Sequence, residues 1–516
     1  MILGEPNALH IDSGERTTLD DLFRNAAARR PDAVALCDPP NRSSFTDGEP
    51  RRLTYAQADH IVSAIAGRLR RLGLSTDAAV GLQLPNTVES VLALLGVLRA
   101  GMIAVPLPLL WRRADAAAAL NRVGAKAIIT SSRIGAADHC QIAMNTAADV
   151  FPVRYVCSFG ANPPDGVIPL DDLLAAAPLL DPPAPVERDG NPAAHVAAVT
   201  FEVTPQGLMA VGRNHAELIA GGQAVLLEAR LQKNAVVLAS CANSSFAGLT
   251  LNLLPWLLTG GMLSLHQPFD PSAFAEQCRH DDCDTVVLPG VLAARIAQAG
   301  LLTHPGLRNI LALWRAPERL PVGSPWQHPQ AELIDVLAFG ETALIAARRG
   351  AAGQPAEIPL GPVQAPRGAP DAGTIVETTV TETGTLALRG PMVPRHPFPP
   401  GAERTPMPCF KPDARGFVDT LYPCRPDRDS GEVAITGPPP GIVSVGGYRF
   451  RPDRLQDLVG RTAGEAVLTA LPDALAGHRL AGHAADRAAL RQALDGLGVN
   501  PLVSGAFADR RRVEAT

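Results

Sequence analysis

Residues 197–217, AAVTFEVTPQGLMAVGRNHAE, carry the reading of this chain. Thr200 and Phe201 lead in, EVTPQG fills the middle, and Gly207 and His215 follow. Two readings are open. A loop that grips phosphate needs exposed backbone N–H groups, hydroxyls and a cation. Thr204 and Gly207 suit that purpose, but Pro205 removes a donor and no lysine lies between Lys126 and Lys233. Glu202 adds a carboxylate, and two like charges ~4 Å apart repel by roughly 4 kcal/mol at an effective dielectric of about 20. The other reading is an ordinary strand-to-helix turn.

Outward from this stretch, strand and helix patterns alternate. TTLDDLFRNAAARR (17–30) reads as a helix capped by Thr18, with acids in its first turn and arginines in its last. LTYAQADHIVSAIAGRLRRLG (53–73) reads as a second, capped by Thr54 and ended by Gly73. AAVGLQLP (78–85) is a strand, TVESVLALLGVLRAG a helix, IAVPLP a strand, and AKAIITSS (125–132) another strand. This order argues a parallel α/β sheet covered on both faces. Residues 236–265 read as strand, helix, strand. Residues 178–192 form a Pro-rich connection, and 350–370 are loop-like. From 373 the pattern shifts to short β segments, GTIVETTV, GTLALRGP and GEVAITG, before PPPG at 438–441.

The succession LTYAQAD, VGLQLPNTVESVLALLGVLRAGMIAVPLPLLW and AKAIITS resembles the N-terminal half of an acyl-CoA synthetase. The whole chain is identified on this pattern as a member of the adenylate-forming superfamily, over nearly all of 17–475. The implied fold is α/β: a large N-terminal domain with parallel sheets sandwiched by helices plus a β subdomain, then a small, truncated α+β C-terminal domain. The boundaries expected are 1–437, a hinge at 438–441, and 442–516.

The resemblance also implies roles. The family loop reads [YF]-TSGTTG-x-PKG followed by a His, which places Thr204 and Gly207 at the nucleotide. AFGETAL (338–344) resembles YG-x-TE: Phe339, Gly340 and Thr342 match on the nucleotide side, and Ala343 stands where the Mg²⁺-holding Glu would be. Glu341 is the substitute ligand and, with Thr342, the catalytic candidate. SSFAGL (244–249) resembles H-x-x-GL beside the acyl pocket, with Ser245 at the His position and Phe246 as lining. ARGFVDTLY (414–422) resembles G-W-x-x-TGD; Thr420 matches, and Tyr422 replaces the Asp that holds the ribose hydroxyls. In 435–458, Gly446 and Gly447 match a turn on the CoA side, while Pro438 and Gly441 replace the family's Arg and hinge Asp. No lysine follows Lys411, so the family's late catalytic Lys has no counterpart, and Arg510, Arg511 and Arg512 read as a solvated tail.

Composition narrows the partners. A net charge of −5 gives no basic surplus for nucleic acid. The most apolar window, 88–110, is broken by Glu89, Arg99, Gly101 and two prolines, so it reads as a buried helix and strand rather than a membrane span. The start lacks a basic and apolar leader, and eight scattered cysteines suit a reducing cytoplasm. CRHDDC (278–283) reads as a helix end rather than a metal site.

The function expected is an AMP-forming ligase of the acyl- or aryl-CoA synthetase type, using ATP, Mg²⁺ and a small carboxylic acid or acyl group, with CoA as an open acceptor and a homo-oligomer as an open assembly. Five ATP-linked positions have changed together: loop Lys, Mg²⁺ Glu, ribose Asp, the following Arg and the terminal Lys. The alternative is therefore a non-catalytic relative that binds an acyl or CoA-like ligand or a partner protein; a structural subunit docked on an active synthetase is a third reading.

Overall fold

The structure is a computed structural model that describes residues 16–175, 183–321, 325–366, 373–427 and 429–508. The first fifteen residues, the arginines at 510–512, and parts of the 178–192 and 350–370 segments lie outside the described residues.

Two mostly parallel sheets dominate. One has eight strands, with 236–239, 285–289, 309–314 and 332–339 at its centre and antiparallel strands at both edges. The other has seven, with 79–83, 103–106, 127–131 and 155–159 in parallel. Segments such as NILALW (309–314) are buried on both faces, which explains their unbroken apolar runs. Helix Val88–Arg99 is buried almost all round, as a helix pressed between a sheet and neighbouring helices must be. It and strand Ile103–Pro106 account for the most apolar window. No described helix is long and apolar enough to cross a membrane.

The helix starts follow their sequence signals. Thr18 and Thr54 each close a capping box, with Asp21 and Gln57 reaching back to the cap N–H. Helical residues 246–259 contain a π-turn at Leu249–Leu253, just before Pro255, whose missing N–H breaks the regular ladder. Cys278 and Cys283 are buried in an apolar cluster beneath the strand Thr285–Pro289.

A six-stranded antiparallel sheet follows, including 374–380, 385–389, 418–427 and 432–435. Beyond Gly441 a separate four-stranded sheet forms from 443–445, 448–450, 467–473 and 477–483, with helices Pro452–Ala463 and Arg487–Leu497 on it. This α+β unit is held to the rest at separate points. The Leu110 N–H donates to Tyr448 Oη at 3.1 Å. The Ala114 N–H donates to the Gly498 carbonyl at 2.9 Å. Arg319 donates to the carbonyls of Asp473 and Ala474.

Candidate functional site

The carboxyl ends of four neighbouring parallel strands open onto one cavity of about 550 Å³. Ser240 follows strand 236–239, Gly290 follows 285–289, Arg315 follows 309–314, and Gly340 follows 332–339. Ligands of open α/β sheets collect at this edge, because the loops there are free to vary. Trp111 and Phe201 form one wall, with ring centroids 5.6 Å apart. The C-terminal unit roofs the cavity through Gly446, Gly447, Tyr448 and Leu475.

The stretch around residue 205 is neither of the turns expected from sequence. Strands Val196–Thr204 and Gly207–Asn214 pair antiparallel down to Thr204 and Gly207, so Pro205 and Gln206 alone make the turn. Five residues separate Phe201 from Gly207, against nine in the family pattern. The turn is thus four residues shorter than the family's phosphate loop. The Thr204 hydroxyl is used within the hairpin, donating to the Gly207 carbonyl at 2.9 Å.

Glu202 projects from this hairpin into a largely buried network. Its Oε2 accepts the Glu341 N–H at 2.5 Å. Gly340 makes this approach possible: it has φ +59°, and a Cβ there would lie 2.0 Å from Glu202 Oε2. The other oxygen, Oε1, pairs with the Arg449 guanidinium from the C-terminal unit. Arg449 also donates to Tyr422 Oη, and the Glu202 charge beside it holds its pKa above the ordinary arginine value despite burial. Burial pushes the Tyr422 phenol up to about 12, so it stays protonated. Tyr422 lies edge-on to Phe339, at 5.5 Å and 88°.

Glu341 is also committed. Its Oε2 accepts the Phe246 N–H at 2.7 Å, capping the helical segment that starts there. Burial, with Glu202 next, raises its pKa. Arg213, fully buried on the second hairpin strand, donates to the carbonyls of Glu341 and Thr342 and lies 3.8 Å over the Phe246 ring. Burial lowers its pKa to about 10, so it remains charged at neutral pH.

The structure thus sorts the residues singled out from sequence. Glu341, Gly340, Ser245, Gly446 and Gly447 reach the cavity wall. Thr204, Gly207, Phe246, Phe339, Thr342 and Thr420 lie off it. Phe246 is packed beneath Arg213 instead of facing the cavity, and the Thr420 hydroxyl donates to the Leu386 carbonyl. His215 has turned away to the N-terminal helix, where its Nδ1 accepts the Leu19 N–H at 3.2 Å. Arg213, Arg315, Arg319 and Arg449 were not anticipated. Arg315 had a readable signal, a charge immediately after an apolar parallel-strand run.

The residues present do not fit a triphosphate with its magnesium ion. A carboxylate rather than a lysine or N–H cradle faces the position, and both nearby carboxylates already have partners. Among the described residues no group of three or more His, Cys, Asp or Glu side chains is placed to hold a metal ion.

A family model described as AMP-binding enzyme matches residues 23–325, and the chain belongs to that family. The salicyl-AMP ligase / salicyl-S-ArCP synthetase of Mycobacterium tuberculosis is 27% identical over 485 residues, covering 90% of this chain and 80% of that protein. Among solved structures, apo MbtA of Mycobacterium smegmatis superposes with a TM-score of 0.64 at 22% identity, over 95% of this chain and 91% of that one. The amide bond synthetase McbA of Marinactinospora thermotolerans does so at 0.65 and 17%, over 94% of each chain. Both likenesses show the fold. AMP-binding enzymes are aryl- and acyl-adenylating ligases that act on carboxylic acids with ATP and typically Mg²⁺.

Proposed function

We propose that this chain is a carboxylic-acid-binding relative of the adenylating ligases whose nucleotide side is closed by its own side chains. The observation that carries the reading is the Glu202–Arg449 ion pair, set where a phosphate-gripping loop would lie and roofed by the C-terminal unit. Shortening of the hairpin turn to Pro205–Gln206 supports it independently. The acid would occupy the cavity, whose apolar walls and few polar groups have the character of a small-molecule site.

A second reading keeps the chain an AMP-forming acid–thiol ligase of the acyl- or aryl-CoA synthetase type. It is favoured by the open cavity, by Gly446 and Gly447 on its wall, and by the length of the likeness to the salicyl-AMP ligase. It requires the C-terminal unit to turn about 438–441 and lift Arg449 off Glu202. Calorimetric titration with MgATP, paired with acid-dependent AMP release over a panel of aryl and alkyl acids, separates the two. The expected result is no heat of binding at millimolar MgATP and no AMP. Micromolar binding with acid-dependent AMP release would overturn the closed-site reading.

A further inference from the structure

We infer that Arg315 and Ser245 form an anion site inside the cavity, which holds the carboxylate of an acid whose apolar body lies against Trp111, Phe201 and Leu313. The inference deepens the acid-binding reading and rests on it for the choice of cavity, but it needs no nucleotide.

Charge on the cavity wall is the first observation. Arg315, Arg319 and Arg449 face Glu202 and Glu341, a formal balance of three positive against two negative. Both carboxylates are spent: Glu202 on Arg449 and the Glu341 N–H, Glu341 on the Phe246 N–H. Arg449 is spent on Glu202 in turn. Arg319 uses its donors on two backbone carbonyls of the C-terminal unit, and the Glu318 and Asp473 carboxylates lie within electrostatic reach of its charge. Arg315 forms no ion pair among the described residues; its guanidinium donates only to Ser245 Oγ, at 2.7 Å. A guanidinium in an apolar, partly closed space gains most from an oxyanion, through short charge-assisted hydrogen bonds.

Ser245 supplies the second donor. Its Oγ accepts twice, from Arg315 and from the Gly248 N–H at 3.1 Å. A hydroxyl has two acceptor positions and one hydrogen, so that hydrogen is left to donate. Ser245 lines the cavity beside Arg315, so both donors belong to the same stretch of wall.

The remaining walls describe the rest of the ligand. About 550 Å³ is far more than an inorganic ion needs and lies within the range of pockets for drug-sized molecules. Trp111, Phe201, Val291, Leu292 and Leu313 offer flat or branched apolar surface. A ring or short acyl chain ending in a single carboxylate matches both ends of this space.

The test is direct binding of benzoate and octanoate, with benzamide as the neutral shape control, to the full chain without nucleotide. Trp111 and Trp314 line the cavity, so tryptophan fluorescence reports occupancy alongside calorimetry. The wild type is expected to favour an acid over the amide by about tenfold or more, the worth of one charge-assisted contact. Arg315→Met should erase that preference with benzamide binding unchanged, and Arg315→Lys should keep part of it because the charge remains. Circular dichroism melts establish that both variants fold. Equal binding of acid and amide by the wild type, undiminished acid preference in Arg315→Met, or no acid binding up to solubility would each overturn the inference. ATP turnover would sink the closed-site reading while leaving this result standing.

Discussion

The two walls of the cleft have met opposite fates. On the nucleotide side, Glu202, Glu341, Arg213, Tyr422 and Arg449 are tied to one another or to backbone. On the acid side, Arg315 and Ser245 face open space with donor capacity left over. One scaffold carries both, and its buried strands and capped helices are indifferent to the contrast. The lesson is that a binding site closes when its polar groups find partners within the chain, not when its fold changes. On the proposed reading, open volume together with a guanidinium that has no ion pair marks the half that would take a ligand.

The comparison breaks most readily at Arg449. Replacing it with methionine strands the Glu202 carboxylate, and removing one partner of a buried ion pair costs about 3–5 kcal/mol. Urea denaturation should register that loss, and hydrogen exchange should place it in residues 443–483. The double variant E202Q/R449M should be more stable than the two single losses summed, since no charge is then left unpaired. A change below about 1 kcal/mol in R449M would mean that the nucleotide side is not held by this pair.

His215 sharpens the contrast next. Burial first, then the nearby Arg188 charge, lowers its pKa to about 4, from an ordinary 6.5. The unfolded chain therefore binds the proton more readily between those values. Its contribution to stability is complete above about pH 6.5 and is lost as pH falls toward 4, by roughly 3 kcal/mol over the interval. His215→Asn keeps a hydrogen-bond acceptor without a titrating ring. Denaturation at pH 7 and pH 4 should show a smaller acid loss in this variant than in the wild type; equal losses would mean that His215 does not titrate as placed.

The smallest effect belongs to the shared scaffold. Thr54→Ala removes a capping box remote from the cavity, and should cost about 1 kcal/mol in a thermal melt. Acid affinity should stay within error of the wild type. A change there would show that scaffold and cavity are coupled after all.

The legible and illegible parts of the sequence divide along the same line. Thr18 and Thr54 act on residues three positions away, and both were readable as caps. The apolar run at 236–239 spoke for a strand, because period and burial are local matters. Glu202 could be recognised as hostile to phosphate. Its partner could not, since Arg449 stands 247 positions further on and only the tertiary arrangement brings it in. Phe246 was expected on the cavity wall, but helix entry geometry turned its ring under Arg213. The short hairpin was there to be counted, and the matching Gly207 and His215 at its far end concealed the missing residues.

Pro205–Gln206 has a consequence on an evolutionary scale. Point substitutions can exchange side chains around the turn, but none can lengthen it. Recovering a phosphate cradle would take an in-frame insertion of about four codons, together with removal of Arg449, whose departure alone leaves the Glu202 charge without its paired cation. On the closed-site reading the hairpin works as a ratchet: descendants of this chain would refine what the cavity holds far more readily than they would rebuild a nucleotide cradle.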